Sequence, residues 1–457
     1  MTKVLRLFVA ACVMLAAACT PALTPESTTP QVAAVRSTDT SWIARSAIYE
    51  VFVRDFSPAG DFQGLIDGLD RIEAIGANVI WLMPIHPVGV LNRKEPLGSS
   101  YSVTDYRAIN PEYGTEADFR KLVSAVHARG MKLILDWVPN HTAWDHVWVR
   151  EHPDRYTRLE NGKMTEPLNS DGTSTGWTDV ADLDYSNPGT RSAMIADMRY
   201  WLETFGIDGF RADVAHSVPY DFWREAIRQL RAVKPILLLA EAGEHEMHNL
   251  GFDLTYAWDS YHKLKAVWKG DSAAAFIAHE LQDLSALPRG GQRLRFTTNH
   301  DETAWDMPPV TLFGGPAGAR AAFVAMALLP GRPLIYNGQE VESPQQLGLF
   351  VKEPVAWDQP DATAARAFYR RIIELARTHP AFTTTDFRAL HTDSPADVIA
   401  YQRAGVVVLV NARARPVQVG VSGLATRGAR DLLSGRVQTG AVVALPAYGA
   451  AVLELTR

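Results

Sequence analysis

Ile236-Leu237-Leu238-Leu239-Ala240-Glu241 is five apolar residues with no polar alternation, closed by an acid. A strand with one wet face alternates, so this run reads as a strand buried on both sides, as in a parallel sheet covered by helices. Working outward, the same unit recurs. Short apolar segments at 47–53, 78–82, 132–135, 209–213, 254–257, 294–298 and 333–336 read as strands, with amphipathic segments between them. At 65–75, apolar Leu65, Ile66, Leu69, Ile72 and Ile75 follow helical spacing; 119–128 and 193–205 are helical too. Eight strands, each followed by helical material, predict an α/β fold, the closed (β/α)8 TIM barrel. An open doubly wound sheet is the alternative, but no Gly-rich phosphate turn follows the first strand.

The remaining segments divide the 457-residue chain further. Residues 142–187 interrupt the alternation with a long polar stretch rich in Trp, Gly, Asp and Thr, an inserted loop-rich domain after strand three. The barrel accordingly comprises 42–141 and 188–380, and 381–457 reads as a C-terminal antiparallel β-sandwich with strands at 398–402, 406–410, 417–421 and 442–445. No internal repeat is evident. The first 19 residues read as a secretion signal: Lys3 and Arg6 precede an apolar run, 7–18, too short to span a bilayer comfortably. Its end, Leu15-Ala16-Ala17-Ala18-Cys19, resembles a bacterial lipoprotein signal, which implies lipidation of Cys19, membrane anchoring and a periplasmic or cell-surface location. Cleavage after an Ala-x-Ala site, leaving a soluble periplasmic or extracellular chain, is the alternative. Residues 20–41, rich in Thr, Pro and Ser, read as a flexible linker. Beyond Cys19 there is no cysteine, which excludes a disulfide framework or thiolate metal site there. A net charge of -6 and no Lys/Arg run exclude a nucleic-acid partner.

The acids fall where strands end. Leu133-Ile134-Leu135 runs into Asp136-Trp137-Val138-Pro139-Asn140-His141, Gly209-Phe210 into Arg211-Ala212-Asp213-Val214-Ala215-His216, the opening run into Glu241, and Phe296-Thr297-Thr298 into Asn299-His300-Asp301-Glu302. The C-terminal strand ends of a barrel meet at one mouth, so these groups converge. Alternation puts Arg211 and Asp213 on the same inward side, where the guanidinium is expected to keep the carboxylate ionised.

These four segments resemble the conserved regions of the α-amylase family of glycoside hydrolases, in the same order. The resemblance implies a retaining α-glucan hydrolase acting on α-1,4-linked glucose in starch, glycogen or maltooligosaccharides. It implies Asp213 as nucleophile, Glu241 as general acid/base and Asp301 as the third acid. Tyr101 is implied to stack on the reacting sugar, and His141, Arg211, His216 and His300 to bind substrate. Two carboxyls about 5–5.5 Å apart suit a double displacement with retention, and that chemistry needs no cofactor. Glu241 must then hold its proton near neutrality, for which burial and the neighbouring acids are the expected cause.

Some readings stay open. In many relatives the positions of Asn140 and Asp182 hold a structural Ca²⁺, but Val180-Ala181-Asp182-Leu183-Asp184 departs from the common Pro-Asp-Leu-Asn form. Oxygen donors suit that hard cation, and the ion is left undecided. Val214, directly after the nucleophile position, resembles the residue of several α-1,6-acting relatives. A cyclomaltodextrinase- or neopullulanase-like enzyme, an α-1,6-acting hydrolase, a glucanotransferase or a sugar isomerase is therefore the rival among enzymes. A non-catalytic glucan-binding lipoprotein is the rival of another class. His245-Glu246-x-His248 lacks the His-Glu-x-x-His spacing of a zinc site. Trp137, Trp144 and Trp148 serve equally well as cleft lining or as packing.

Overall fold

The computed structural model describes residues 40–455. The leader, Cys19 and nearly all of the linker lie outside the described residues. Among the described residues no helix is long and apolar enough to cross a membrane.

Eight parallel strands close into a barrel: Ile48–Val51, Val79–Leu82, Lys132–Trp137, Gly209–Ala212, Leu237–Ala240, Leu254–Tyr256, Gln292–Arg295 and Arg332–Tyr336, with the last pairing to the first. They are the eight apolar segments of the sequence, and most are buried at every position, the condition that removes polar alternation. The seventh strand begins earlier than its apolar run. Gln292 and Arg293 join the ladder because Arg293 has a partner in Asp283 on the preceding helix, 2.5 Å away.

Caps rather than apolar spacing set the helix starts. Phe62–Ile75 begins after Asp61, whose carboxylate accepts the Gly64 N–H at 2.7 Å. Glu116–Ala128 begins with a reciprocal capping box between Thr115 and Asp118, and Pro188–Thr204 follows the Asn187 cap. Each therefore starts three to five residues before the first apolar position read from the sequence.

Between the third strand and helix Pro188–Thr204 the chain makes its excursion. A two-stranded ribbon, His141–Ala143 against Val180–Asp182, ties the excursion's two ends together with His141 opposite Asp182. Beyond helix Ala362–Thr378 lie a five-stranded antiparallel sheet and a two-stranded one. The central strand, Val406–Asn411, is buried throughout. Its Val406, Val408 and Val410 join the barrel's core, while Val407 and Leu409 pack with Val419 and Val443 of the small sheet. Strand Ala450–Glu454, absent from the sequence reading, pairs with it.

Gly209 opens the fourth strand with φ 149°, and a Cβ there would stand 1.9 Å from the Leu237 carbonyl oxygen of the fifth. The strand that carries Asp213 thus lies against its neighbour only because residue 209 has no side chain. Gly209→Ala is expected to cost about 2–4 kcal/mol of unfolding free energy, read as a lower urea midpoint; an unchanged midpoint refutes the close approach.

Candidate active site

Strand register brings the acids together. Asp213 and Glu241 are the first residues beyond the fourth and fifth strands, and both extend the ladder. The Asp213 N–H donates to the Trp137 carbonyl at 2.8 Å and the Glu241 N–H to the Ala212 carbonyl at 2.9 Å. Adjacent strands therefore deliver their carboxyls side by side. Asp301 arrives differently, in the first turn of helix His300–Trp305, where Asn299 caps by accepting the Glu302 N–H.

Arg211 lies beneath them. It is 0% exposed. Its Nη1 donates to Asp136 and to Asp213, each at 2.8 Å, and its Nε to the Tyr256 hydroxyl at 3.2 Å. Nη2 stands 2.8 Å from Glu241 Oε1, an ionic contact without the alignment of a hydrogen bond. The other Glu241 oxygen accepts the Val214 N–H at 2.7 Å. These contacts correct one expectation: Arg211 is spent on carboxylates under the cavity floor, so it positions acids rather than binding sugar.

A second correction concerns charge. Burial pushes the Asp213 carboxyl well above its usual range, and Arg211 opposes this while Glu241 and Asp136 add to it. One guanidinium is shared among three carboxyls here, so Arg211 offsets only part of that rise on Asp213. The expectation of a simply ionised Asp213 counted Arg211 and left out burial, the larger effect, along with the carboxyls beside it.

The same network continues to the far wall. Asp136 Oδ2 accepts from the Tyr101 hydroxyl at 2.9 Å and from Trp81 Nε1 at 3.1 Å. Tyr101 Oη lies 2.7 Å from His300 Nε2, and the two rings stack at 5.4 Å. His300 Nδ1 is hydrogen-bonded to Glu50, and its Nε2 is 3.3 Å from Asp301. Burial opposes charge on His300, but Asp301 and Glu50 outweigh it and lift the imidazole to about 9. His300 is thus an imidazolium at neutral pH, with both nitrogens donating. His141 is the opposite case, lowered by burial to about 4 and neutral.

Tyr101, His141, Asp213, Glu241, His300 and Asp301 line one cavity of about 450 Å³. His216 does not: its side chain is exposed, with Nδ1 3.4 Å from the Glu241 carbonyl. Trp137 and Trp148 are core residues. The cavity's aromatic rim is instead Trp177, Phe350 and Trp305, the last 65% exposed. Lys94 also lines it, 3.0 Å from Asp179 of the excursion, so an ion pair joins the loop after the second strand to the inserted segment. Sequence reasoning missed this pair and Glu50. A lone acid inside the strand Ile48-Tyr49-Glu50-Val51 was the available signal, because charges are almost never fully buried without a partner. Lys94 and Asp179 lie in loops whose spacing carries no periodic signal.

Asn140 and Asp182 are close, since Asn140 precedes the residue opposite Asp182. Asn140 is buried, and burial lifts the Asp182 carboxyl to about 6, with Thr157 opposing and Asp184 adding. An amide and a half-buried carboxyl are the hard oxygen donors Ca²⁺ takes; its remaining ligands would be carbonyls and water. Among the described residues no cluster of three or more His, Cys, Asp or Glu side chains is placed to hold a metal.

The family model for the alpha amylase catalytic domain matches residues 33–165 and 174–249. Alpha-amylase MalA of Haloarcula japonica is 32% identical over 433 residues, 88% of this chain and 60% of that protein, so the chain spans well under the whole of that relative. A noncanonic maltogenic alpha-amylase AmyB from Thermotoga neapolitana superposes with a TM-score of 0.78 at 31% identity, covering 90% of this chain and 96% of that one. An alpha-amylase from Lactobacillus plantarum gives 0.79 at 30%, covering 91% and 99%.

The raised His300 sets a stability dependence. Its folded value, about 9, exceeds the usual 6.5, so its contribution is fully present below pH 6.5 and lost as pH rises through 9. The amount is on the order of 3 kcal/mol. Unfolding free energy of the wild type should fall between these limits relative to His300→Gln; parallel curves for the two proteins would refute the imidazolium.

Proposed function

Because the chain belongs to the α-amylase family of glycoside hydrolases, we propose that it is a retaining hydrolase of α-glucans, cleaving α-1,4 bonds of starch, glycogen or maltooligosaccharides. One observation carries the reading: Arg211 holds the Asp213 and Glu241 carboxyls on its two terminal nitrogens at the floor of a cavity. A shared guanidinium draws the two carboxyls together, which supports the short spacing of direct attack over the wider one that admits a water.

In this reading Asp213 attacks the anomeric carbon while Glu241 gives its proton to the departing oxygen. Positive charge developing on the sugar beside Asp213 stabilises that neighbouring carboxylate. Glu241 then takes a proton from water, which opens the glycosyl ester on Asp213. Asp301, beside the His300 imidazolium, and neutral His141 face the same sugar. Tyr101 supplies an aromatic face held in place by Asp136 and His300.

Val214 lines the cavity next to the acids, which supports α-1,6 cleavage or transfer to a sugar as a second reading. Digests of maltoheptaose, pullulan and cyclodextrins separate the two by bond type. In the first reading the initial product from maltoheptaose has the α configuration by NMR, and a β product sinks it. Asp213→Asn and Glu241→Gln should each lower kcat about 10³-fold or more with circular dichroism unchanged.

We also propose that Asn140 and Asp182 hold a structural Ca²⁺, a reading supported by their donor chemistry. The ion would tie the ribbon of the excursion to the end of the third strand and take no part in bond cleavage. Chelation with EDTA should then lower Tm by roughly 5 °C or more, reversibly with Ca²⁺. Equal Tm values with and without chelator reject it.

A further inference from the structure

At the barrel end opposite Asp213, the seventh and eighth strands begin with Gln292 and Arg332. A cavity of about 300 Å³ lies there, walled by Arg332, Gln292, loop 287–291, Ala44 and Thr383, Thr384 and Thr385. Arg332 is 5% exposed, and its Nε is buried without a hydrogen-bond partner among the described residues. The charged group that acts on it is another cation, Arg403, which together with burial brings Arg332 down to about 10. Arg403 is itself buried and spends its guanidinium on the carbonyls of Leu328, Phe382, Thr384 and Asp386 rather than on a carboxylate. Among the described residues neither guanidinium is in a salt bridge; the Asp386 carboxyl acts on Arg403, but no acid acts on Arg332.

Two other buried arginines of the barrel are paired: Arg295 meets Glu280 at 2.8 Å and Arg293 meets Asp283 at 2.5 Å. An arginine cannot shed its proton to escape burial, so an uncompensated one requires a negative partner. Its planar fork matches the paired oxygens of an oxyanion. Gln292 strengthens the case. Its Oε1 is buried and unpartnered beside the same cavity, and the amide, turned end for end without change of shape, presents its NH₂ instead. Exposed Arg289 stands on the cavity's loop wall.

We infer that this cavity is a binding site for a small tetrahedral oxyanion of the phosphate or sulfate class, held by Arg332 and Gln292. The site is remote from the catalytic mouth and does not depend on the proposed reaction. Water could satisfy the orphaned hydrogen-bonding atoms, but it would leave the charge of Arg332 unmatched.

Thermal unfolding of the full protein at constant ionic strength tests this, with chloride replaced stepwise by inorganic phosphate, sulfate or acetate. Phosphate or sulfate should raise Tm saturably, by roughly 2 °C or more well above Kd. Arg332→Gln should lose the saturable part. A linear rise shared by wild type and variant is general exclusion of the salt from the protein surface and overturns the site. An acetate response equal to that of phosphate overturns the tetrahedral assignment. Should Arg332→Gln fail to fold, crystals of the wild type grown with selenate give the second measurement. Anomalous density within hydrogen-bond distance of Arg332 supports the site, and water alone in the cavity refutes it.

Discussion

One guanidinium inside the barrel governs the chemistry of this molecule. Arg211 meets Asp136, Asp213 and Glu241 at once, each at 2.8 Å and all out of bulk water. Burial alone pushes Asp136, Asp213 and, across the barrel, Glu50 upward, each toward the neutral acid. Arg211 and the His300 imidazolium hold that tendency in check. The arrangement is poor for stability, because desolvating so many charges costs more than their attraction returns in most settings. Its use is that it gathers carboxyls at one cavity floor, which an acid/base reaction requires.

The backbone contributes as well. Val214, a β-branched residue, adopts the left-handed region with φ 35° and ψ 46°. Such residues avoid that conformation, so its presence marks strain held by the surroundings. The turn aims the Val214 N–H at Glu241 Oε2, fixing one carboxyl through the chain that bears the other. The two acids are therefore coupled by covalent structure as well as by charge.

The barrel was legible because burial on both faces turns its strands into unbroken apolar runs, and an acid closing such a run is conspicuous. Asp213, Glu241 and Asp301 stood out for that reason. Helix starts were less legible, since Asp61, Thr115 and Asn187 fix them through hydrogen bonds rather than through apolar spacing. The part played by Arg211 was misread because its burial depends on four neighbours, three of them from other strands or strand ends. The aromatic rim was invisible for a related reason. Trp177 and Phe350 come from separate loops and Trp305 from the end of helix His300–Trp305, and only the closed barrel brings them to one opening.

The strand Val406–Asn411, with alternate side chains committed to the barrel and to the small sheet, has a bearing on ancestry and engineering. A segment shared by two interiors cannot be traded between homologues as a cassette. Any graft has to carry both sets of contacts, so the terminal sheets and the barrel are bound to diversify in step.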